Sequence, residues 1–401
     1  MTTIWDDQAF EPLWSVEDGR KAGLYFYLEA IEEYLPGNRV RVVGHGEMLL
    51  LGGYSYLGLN RHPEIDAAAH DAIEHYGTGT HGVRMLAGTT ALHKELEAEV
   101  ARFKGTEAAV TFSSGYFANF STIACLLGRH DTVICDKLDH ASIVDGCILS
   151  GARFVRYRHN DMTHLEKSLK DPKNTGRVLV VTDAVFSMDG DVVNLPEVSR
   201  LCKEHGALLM VDEAHSIGVL GKTGRGIEEH FGLSADAVDV KMGTFSKAIP
   251  SVGGYIAGSN KLCEFLSHQA RGFIYSGALP PASAAAALAA LRVIQREPER
   301  VARLHENVTY FANALTERGF SFLDSTTAVF PIVCGDDWPA FQFARGCQRR
   351  GVYVQAIPYP VVPKGMARLR AAVYATHTTQ DLEFCANVLR EAAEEVGGIL
   401  H

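Results

Sequence analysis

Gly243-Thr244-Phe245-Ser246-Lys247 follows Val211-Asp212-Glu213-Ala214-His215 in this chain of 401 residues. A lysine beyond a hydroxyl-bearing turn can offer its amine to a carbonyl. The apolar flanks at 240–245 and 249–257 predict that Lys247 is desolvated, which lowers its proton affinity. Asp212 ends an apolar run, 208–211, where a lone carboxylate is costly unless an N–H or a cation meets it. An amine for a Schiff base and a carboxylate for a pyridinium nitrogen are what pyridoxal phosphate (PLP) chemistry needs. His215 suits the ring's phenolic oxygen or the imine region, and Ser187, in Phe186-Ser187-Met188-Asp189-Gly190, is a weaker signal of the same kind. The plainer readings are a solvated lysine and a turn-capping aspartate.

Ser113-Ser114-Gly115-Tyr116 stands between a predicted strand and a predicted helix. Backbone N–H groups and the helix dipole there suit a phosphate, with Thr244 assisting; an ordinary strand-to-helix turn is the alternative. His140, in Asp139-His140-Ala141-Ser142, opens a helix and suits stacking on a pyridine ring, against a surface residue at a helix start. Arg368-Leu369-Arg370 alternates, so both guanidinium groups share one strand face, and one of them suits a substrate carboxylate.

The elements that must position these residues read as follows. A helix is predicted over 22–34 and a hairpin over 39–51. From about residue 91, helices alternate with short β-branched strands, the pattern of an α/β domain on a largely parallel sheet. Helices are predicted over 91–103, from 116, and over 141–149, 195–205 and 282–296. Strands are predicted over 108–112, 132–135, 178–182, 207–211 and 238–242. The candidate groups then gather beyond the carboxyl ends of the strands, where open α/β sheets bind ligands. A polar stretch after 296 leads to strands 328–334 and 368–373 and a closing helix, 381–396. The expected division is an arm at 1–50, a large domain at 51–297 and a smaller α+β domain at 298–401.

A net charge of −10 argues against nucleic acid or an anionic membrane as the main partner. The longest apolar run, 280–291, is too short and alanine-rich to span a bilayer, and the first residues show no signal pattern. Eight cysteines without a Cys-x-x-Cys pair read as free thiols in a reducing compartment, with no metal site. The expected location is the cytoplasm.

Taken together, the motifs resemble the α-oxoamine synthases, a branch of the fold-type-I PLP enzymes. The matching segments run from about residue 54 to 377. They include Tyr56-Leu57-Gly58-Leu59, Gly82-Val83-Arg84, Gly88-Thr89-Thr90 with His93, and Leu96-Glu97. Leu279-Pro280-Pro281 and Ala375-Thr376-His377-Thr378 complete the set with those above. The resemblance implies that Lys247 forms the Schiff base, Asp212 pairs with the pyridinium, and Ser187 and His215 bind the phenolic oxygen. It implies further that His140 stacks on the ring and that Gly115, Tyr116 and Thr244 hold the phosphate. Ser276 would reach the phosphate of a neighbouring subunit in a homodimer with shared active sites. Arg370 would bind the amino-acid carboxylate. Two positions depart from the family pattern: Ser55 replaces an asparagine that helps hold that carboxylate, and Gly277 replaces a polar residue after Ser276.

The implied reaction is a decarboxylative Claisen condensation of an α-amino acid with an acyl thioester, on CoA or an acyl carrier protein. Its products are an α-amino ketone, CO2 and free thiol. Two rivals stand beside it. An aminotransferase on the same fold commonly places an aromatic ring where His140 stands, and a non-catalytic partner subunit would lack Lys247.

Overall fold

A computed structural model describes residues 16–25 and 28–400. The opening residues, read above for a signal pattern, lie outside the described residues, as does part of the 22–34 segment. Three strands come first: β1 (Ile31–Leu35), β2 (Arg39–Val42) and β3 (Gly46–Leu50), each antiparallel to the next. The expected hairpin is β2–β3. Among the described residues of 22–34 the expected helix is not found. The described helix is Val16–Lys21, Gly23 and Leu28 have φ of +68° and +64°, and β1 is extended. The cause is the turn at Pro36-Gly37-Asn38, where φ values of +72° and +55° at the last two residues fold β1 back onto β2. Ile31 then packs on Val40, Val42 and Met48. Arg41 bridges Glu33 at 2.6 Å and Glu47 at 2.8 Å across all three strands.

The main sheet contains β4 (Ala108–Phe112), β5 (Thr132–Asp136), β6 (Arg153–Tyr157), β7 (Val178–Asp183), β8 (Leu208–Asp212), β9 (Val240–Ser246) and β10 (Pro250–Gly258). Its order is β4-β10-β9-β8-β7-β5-β6, and only β10 runs antiparallel to its neighbours. This is the mostly parallel α/β sheet that the alternating pattern predicts. Two of its strands went unread. β6 is an edge strand of half-buried residues broken by two arginines, and glycines at 253, 254 and 258 weaken the strand signal of β10. Gly254 has a packing reason: a Cβ there would lie 2.6 Å from the Cα of Gly115. The sheet and the helix start at Gly115 touch backbone to backbone.

Beyond helix Pro281–Arg296, the polar stretch proves to be a helix, Glu299–Glu317. The C-terminal strands are β11 (Val329–Gly335), β12 (Val352–Tyr353), β13 (Gln355–Ile357) and β14 (Ala367–Ala372). β14 lies between β11 and β13, whereas β12 pairs in parallel with β3 of the first sheet. All eight cysteines are unpaired and six are buried, in keeping with free thiols. Among the described residues no helix is long and apolar enough to cross a membrane.

His377 joins the C-terminal strand to the arm. Its Nδ1 accepts from Tyr374 N at 3.1 Å, so Nε2 carries the proton donated to Leu50 O at 3.1 Å. Burial of this neutral ring drops its pKa to about 4. The unfolded chain, with an ordinary histidine pKa of about 6.5, therefore takes up a proton that the folded chain refuses. Stability is expected to fall as pH drops from about 6.5 to about 4, by about 3 kcal/mol from this residue. Urea unfolding across that range checks this; in His377→Gln the slope from this residue is absent, although the variant starts less stable.

Candidate active site

The carboxyl ends of β4, β5, β7, β8 and β9 deliver the candidate residues to one edge of the sheet. Asp212 is the last residue of β8 and is buried. Its Oδ2 accepts from Asn119 Nδ2 at 2.6 Å and its Oδ1 from Ala214 N at 2.8 Å. Asn119 lies one helical turn beyond Gly115 and also donates to Ser142 Oγ at 2.9 Å. Ser142 Oγ stands 2.7 Å from His140 Nδ1, which also accepts from Ser142 N at 3.3 Å. This network assigns the His140 proton to Nε2. Although the residue is exposed overall, burial of the imidazole lowers its pKa, with Asp212 opposing and Lys247 reinforcing. Asp183, opposite Asp212 in the β7–β8 pairing, accepts from His140 N at 2.9 Å. Burial, and then the nearby Asp212, pushes the Asp183 carboxyl well above the usual range.

Lys247 occupies the turn between β9 and β10 and is half-buried. Burial lowers the pKa of its amine, Asp212 and Asp183 oppose, and Arg370 adds to the lowering. Its Nζ lies 5.5 Å from the centre of the Tyr54 ring, and the Arg370 guanidinium lies 4.9 Å from the same ring. Arg370 is buried and bonds Ser187 O at 2.7 Å, Gly53 O at 3.3 Å and Tyr56 Oη at 3.1 Å. Tyr56 Oη, which accepts from Arg370, donates a hydrogen bond to His215 Nδ1 at 2.8 Å. His215 therefore carries its proton on Nε2, and burial holds its pKa well below the ordinary value. A cavity of about 550 Å³ is lined by Lys247, Arg370, Tyr54, Ser55, Ser246 and Gln355 among others. Arg368, two residues before Arg370, instead bonds Met188 O and Asp189 Oδ1, both at 2.9 Å.

At the end of β4, Ser114 caps helix Gly115–Leu126 by accepting from Phe117 N. Gly115 packs so closely on β9 that a Cβ would lie 3.1 Å from Thr244 Oγ1. Thr244 is buried and bonds Gly253 O at 3.0 Å. Ser276 stands beside this group, with its Oγ 3.1 Å from Ser113 Oγ of the same chain. Tyr116 is partly exposed, with its hydroxyl bonded to Asp145 and its ring 6.3 Å edge-on from that of His140.

The aminotransferase class I and II family model matches residues 46–389. An 8-amino-7-oxononanoate synthase of Geobacter sulfurreducens is 48% identical, over 94% of this chain and 96% of its own. One from Bacillus subtilis is 43% identical over 88% and 90%. Serine palmitoyltransferase of Sphingomonas wittichii superposes with a TM-score of 0.92 at 33% identity, over 99% of this chain and 100% of its own. The enzyme from S. paucimobilis, solved with a bound PLP–myriocin aldimine, gives 0.91 at 33% over 95% and 96%. This chain belongs to the α-oxoamine synthases. It is a PLP-dependent acyltransferase that joins an α-amino acid to an acyl thioester with loss of CO2 and thiol.

The site fits that cofactor on its own chemistry. The first helical N–H groups, at Gly115 and Tyr116, have no acceptor within their helix and adjoin the hydroxyls of Ser113, Thr244 and Ser276. Asp212 offers a buried carboxylate within the influence of a desolvated lysine. Sequence reasoning missed Asn119, Ser142, Asp183, Tyr54 and Tyr56 as members of the synthase site. Ser142 and Tyr56 stand in matching motifs without a role of their own, and Asn119 left a signal of position, four residues after Gly115 on the same helix face. Truncating it strands one oxygen of Asp212. Asn119→Ala is expected to retain PLP about tenfold less tightly, measured by dialysis and cofactor fluorescence.

Proposed function

We propose that the synthase condenses alanine with an acyl thioester to give 8-amino-7-oxononanoate or a close analogue. The name of that product carries an amine on C8 and a methyl at C9, the two carbons alanine keeps after losing its carboxylate. Relatives over 40% identical along nearly the whole chain support this donor. The observation that carries the reading is the buried Arg370, fixed by three hydrogen bonds and lining one cavity with Lys247. Tyr54 packs over both cations, which favours a small side chain on the substrate.

PLP, when bound, supplies an aldehyde for amines and an electron sink for charge at Cα. Asp212 would hold its ring nitrogen, Ser187 and His215 its phenolic oxygen, and Gly115, Tyr116 and Thr244 its phosphate, with His140 stacked on the ring and Ser276 reaching the phosphate of a second subunit. The spare N–H groups of Arg370 take the substrate carboxylate in a charge-assisted pair, with Ser55 beside it. The Lys247 amine, proton-poor through burial, removes the Cα proton and later returns one. His140, neutral with its proton on Nε2, donates to the thioester carbonyl as the new carbon–carbon bond forms and thiol departs. The donor is carried by CoA or an acyl carrier protein.

We further propose a homodimer. Met85, Leu86 and Tyr275 are exposed near the Val83–Gly277 bridge, and an apolar patch beside Ser276 suits a second copy. Eight free thiols favour a reducing cytoplasm.

The PLP-loaded protein is expected to show an alanine-dependent shift of its visible band, then release CO2 and free thiol on addition of acyl thioester. A 2-oxo acid in their place would mark an aminotransferase. Arg370→Ala is expected to raise KM for the amino acid about a hundredfold. Lys247→Ala is expected to abolish turnover.

A further inference from the structure

We propose that a second cavity, adjoining the one at Lys247, binds an oxyanion of the acyl donor through Arg39, assisted by Asn38 and Arg61. This rests on the acyl-thioester reading above. The cavity measures about 550 Å³ and shares Tyr34, Leu50, Ser55, Asn60 and Tyr374 with the first. A donor reacting at Lys247 would reach it past these shared residues.

Beyond the shared residues, its walls come from residues 33–39 together with Gly58, Arg61 and Thr376. Gly58, at φ +62°, lets Thr376 pack against it, since a Cβ there would overlap the threonine side chain. Thr376 Oγ1 donates to Asn38 Oδ1 at 2.6 Å, which fixes the carboxamide and leaves its nitrogen over. That Nδ2 is buried and has no acceptor among the described residues. An unmet donor is costly and favours a ligand that accepts.

The charges point the same way. Arg39 has no ion-pair partner among the described residues, and Arg61 has only Asp66 at 3.5 Å. The one acid in the wall, Glu33, is held by Arg41 at 2.6 Å. A long alkyl tail would bury these polar groups without compensation. A carboxylate at the far end of the acyl chain, or a phosphate of the pantetheine arm, would satisfy them.

Steady-state kinetics of the PLP-loaded protein test this with acyl-CoA donors of equal length ending in carboxylate or methyl. The matching N-acetylcysteamine thioesters, which lack phosphate, complete the set. Arg39→Gln is expected to raise KM about tenfold for an anionic donor, while Arg39→Lys keeps most of the affinity. Loss confined to carboxylate-ended donors on either carrier assigns the acyl terminus. Loss for both CoA donors but for neither N-acetylcysteamine thioester assigns the pantetheine phosphate. Asn38→Asp preserves the bond from Thr376 and sets a repelling charge at the same place, so it should raise KM likewise. Thermal melting checks that each variant is folded. An active wild type whose KM for every donor is unmoved by Arg39→Gln and Asn38→Asp sinks the anion site alone. A wild type that responds to amino acids but consumes no thioester overturns the reaction reading, and this site with it.

Discussion

A carboxylate buried at the end of a central strand must be met by donors, and much of the site is arranged around that need. Asp212 is held by Asn119 and the Ala214 amide, and Asn119 leads through Ser142 to His140. One network thus connects the acid proposed for the ring nitrogen to the histidine proposed to stack on the ring. The next residue, Glu213, anchors the opposite side. It pairs with Lys104 at 2.6 Å, beside a second buried pair, Glu228 with Lys241 at 3.0 Å. Buried ion pairs of this kind add little net stability, since desolvation offsets the Coulombic gain. Breaking one, however, would leave a charge uncompensated below the site.

Several matching motifs proved to be architecture. Arg84 pairs with Glu97 at 2.7 Å, and Glu97 also accepts from Thr111 N in β4, which ties a loop, a helix and a strand together. His93 joins its own helix cap to Leu279 O at 2.8 Å. These contacts tie the turn proposed for the phosphate to the sheet. Chemistry at that turn depends on residues that would themselves never touch a substrate.

The two arginines of β14 illustrate where pattern reading stops. Alternation predicts that Arg368 and Arg370 share a face, and both are buried. Their different tasks come from what each meets: Arg368 closes on Asp189, whereas Arg370 meets the Tyr56 hydroxyl and the Tyr54 ring. Those tyrosines arrive from more than 300 residues earlier in the chain. No local pattern reports such a meeting. The misread 22–34 segment has a similar origin, because a turn and a facing strand overrode its helical spacing.

Residue type and order alone singled out the lysine and the acid, and they pointed to the parallel-sheet edge and the family. Each rests on short-range chemistry: an apolar run before a charge, a glycine at a helix start, a strand followed by a helix. The tertiary structure decided which arginine faces the lysine, which nitrogen of His140, His215 and His377 carries the proton, and that Asn119 holds the acid. It also joined Asn38, Gly58 and Thr376 into one wall. Hydrogen bonds of this reach depend on through-space distance, and the fold sets that distance independently of spacing along the chain.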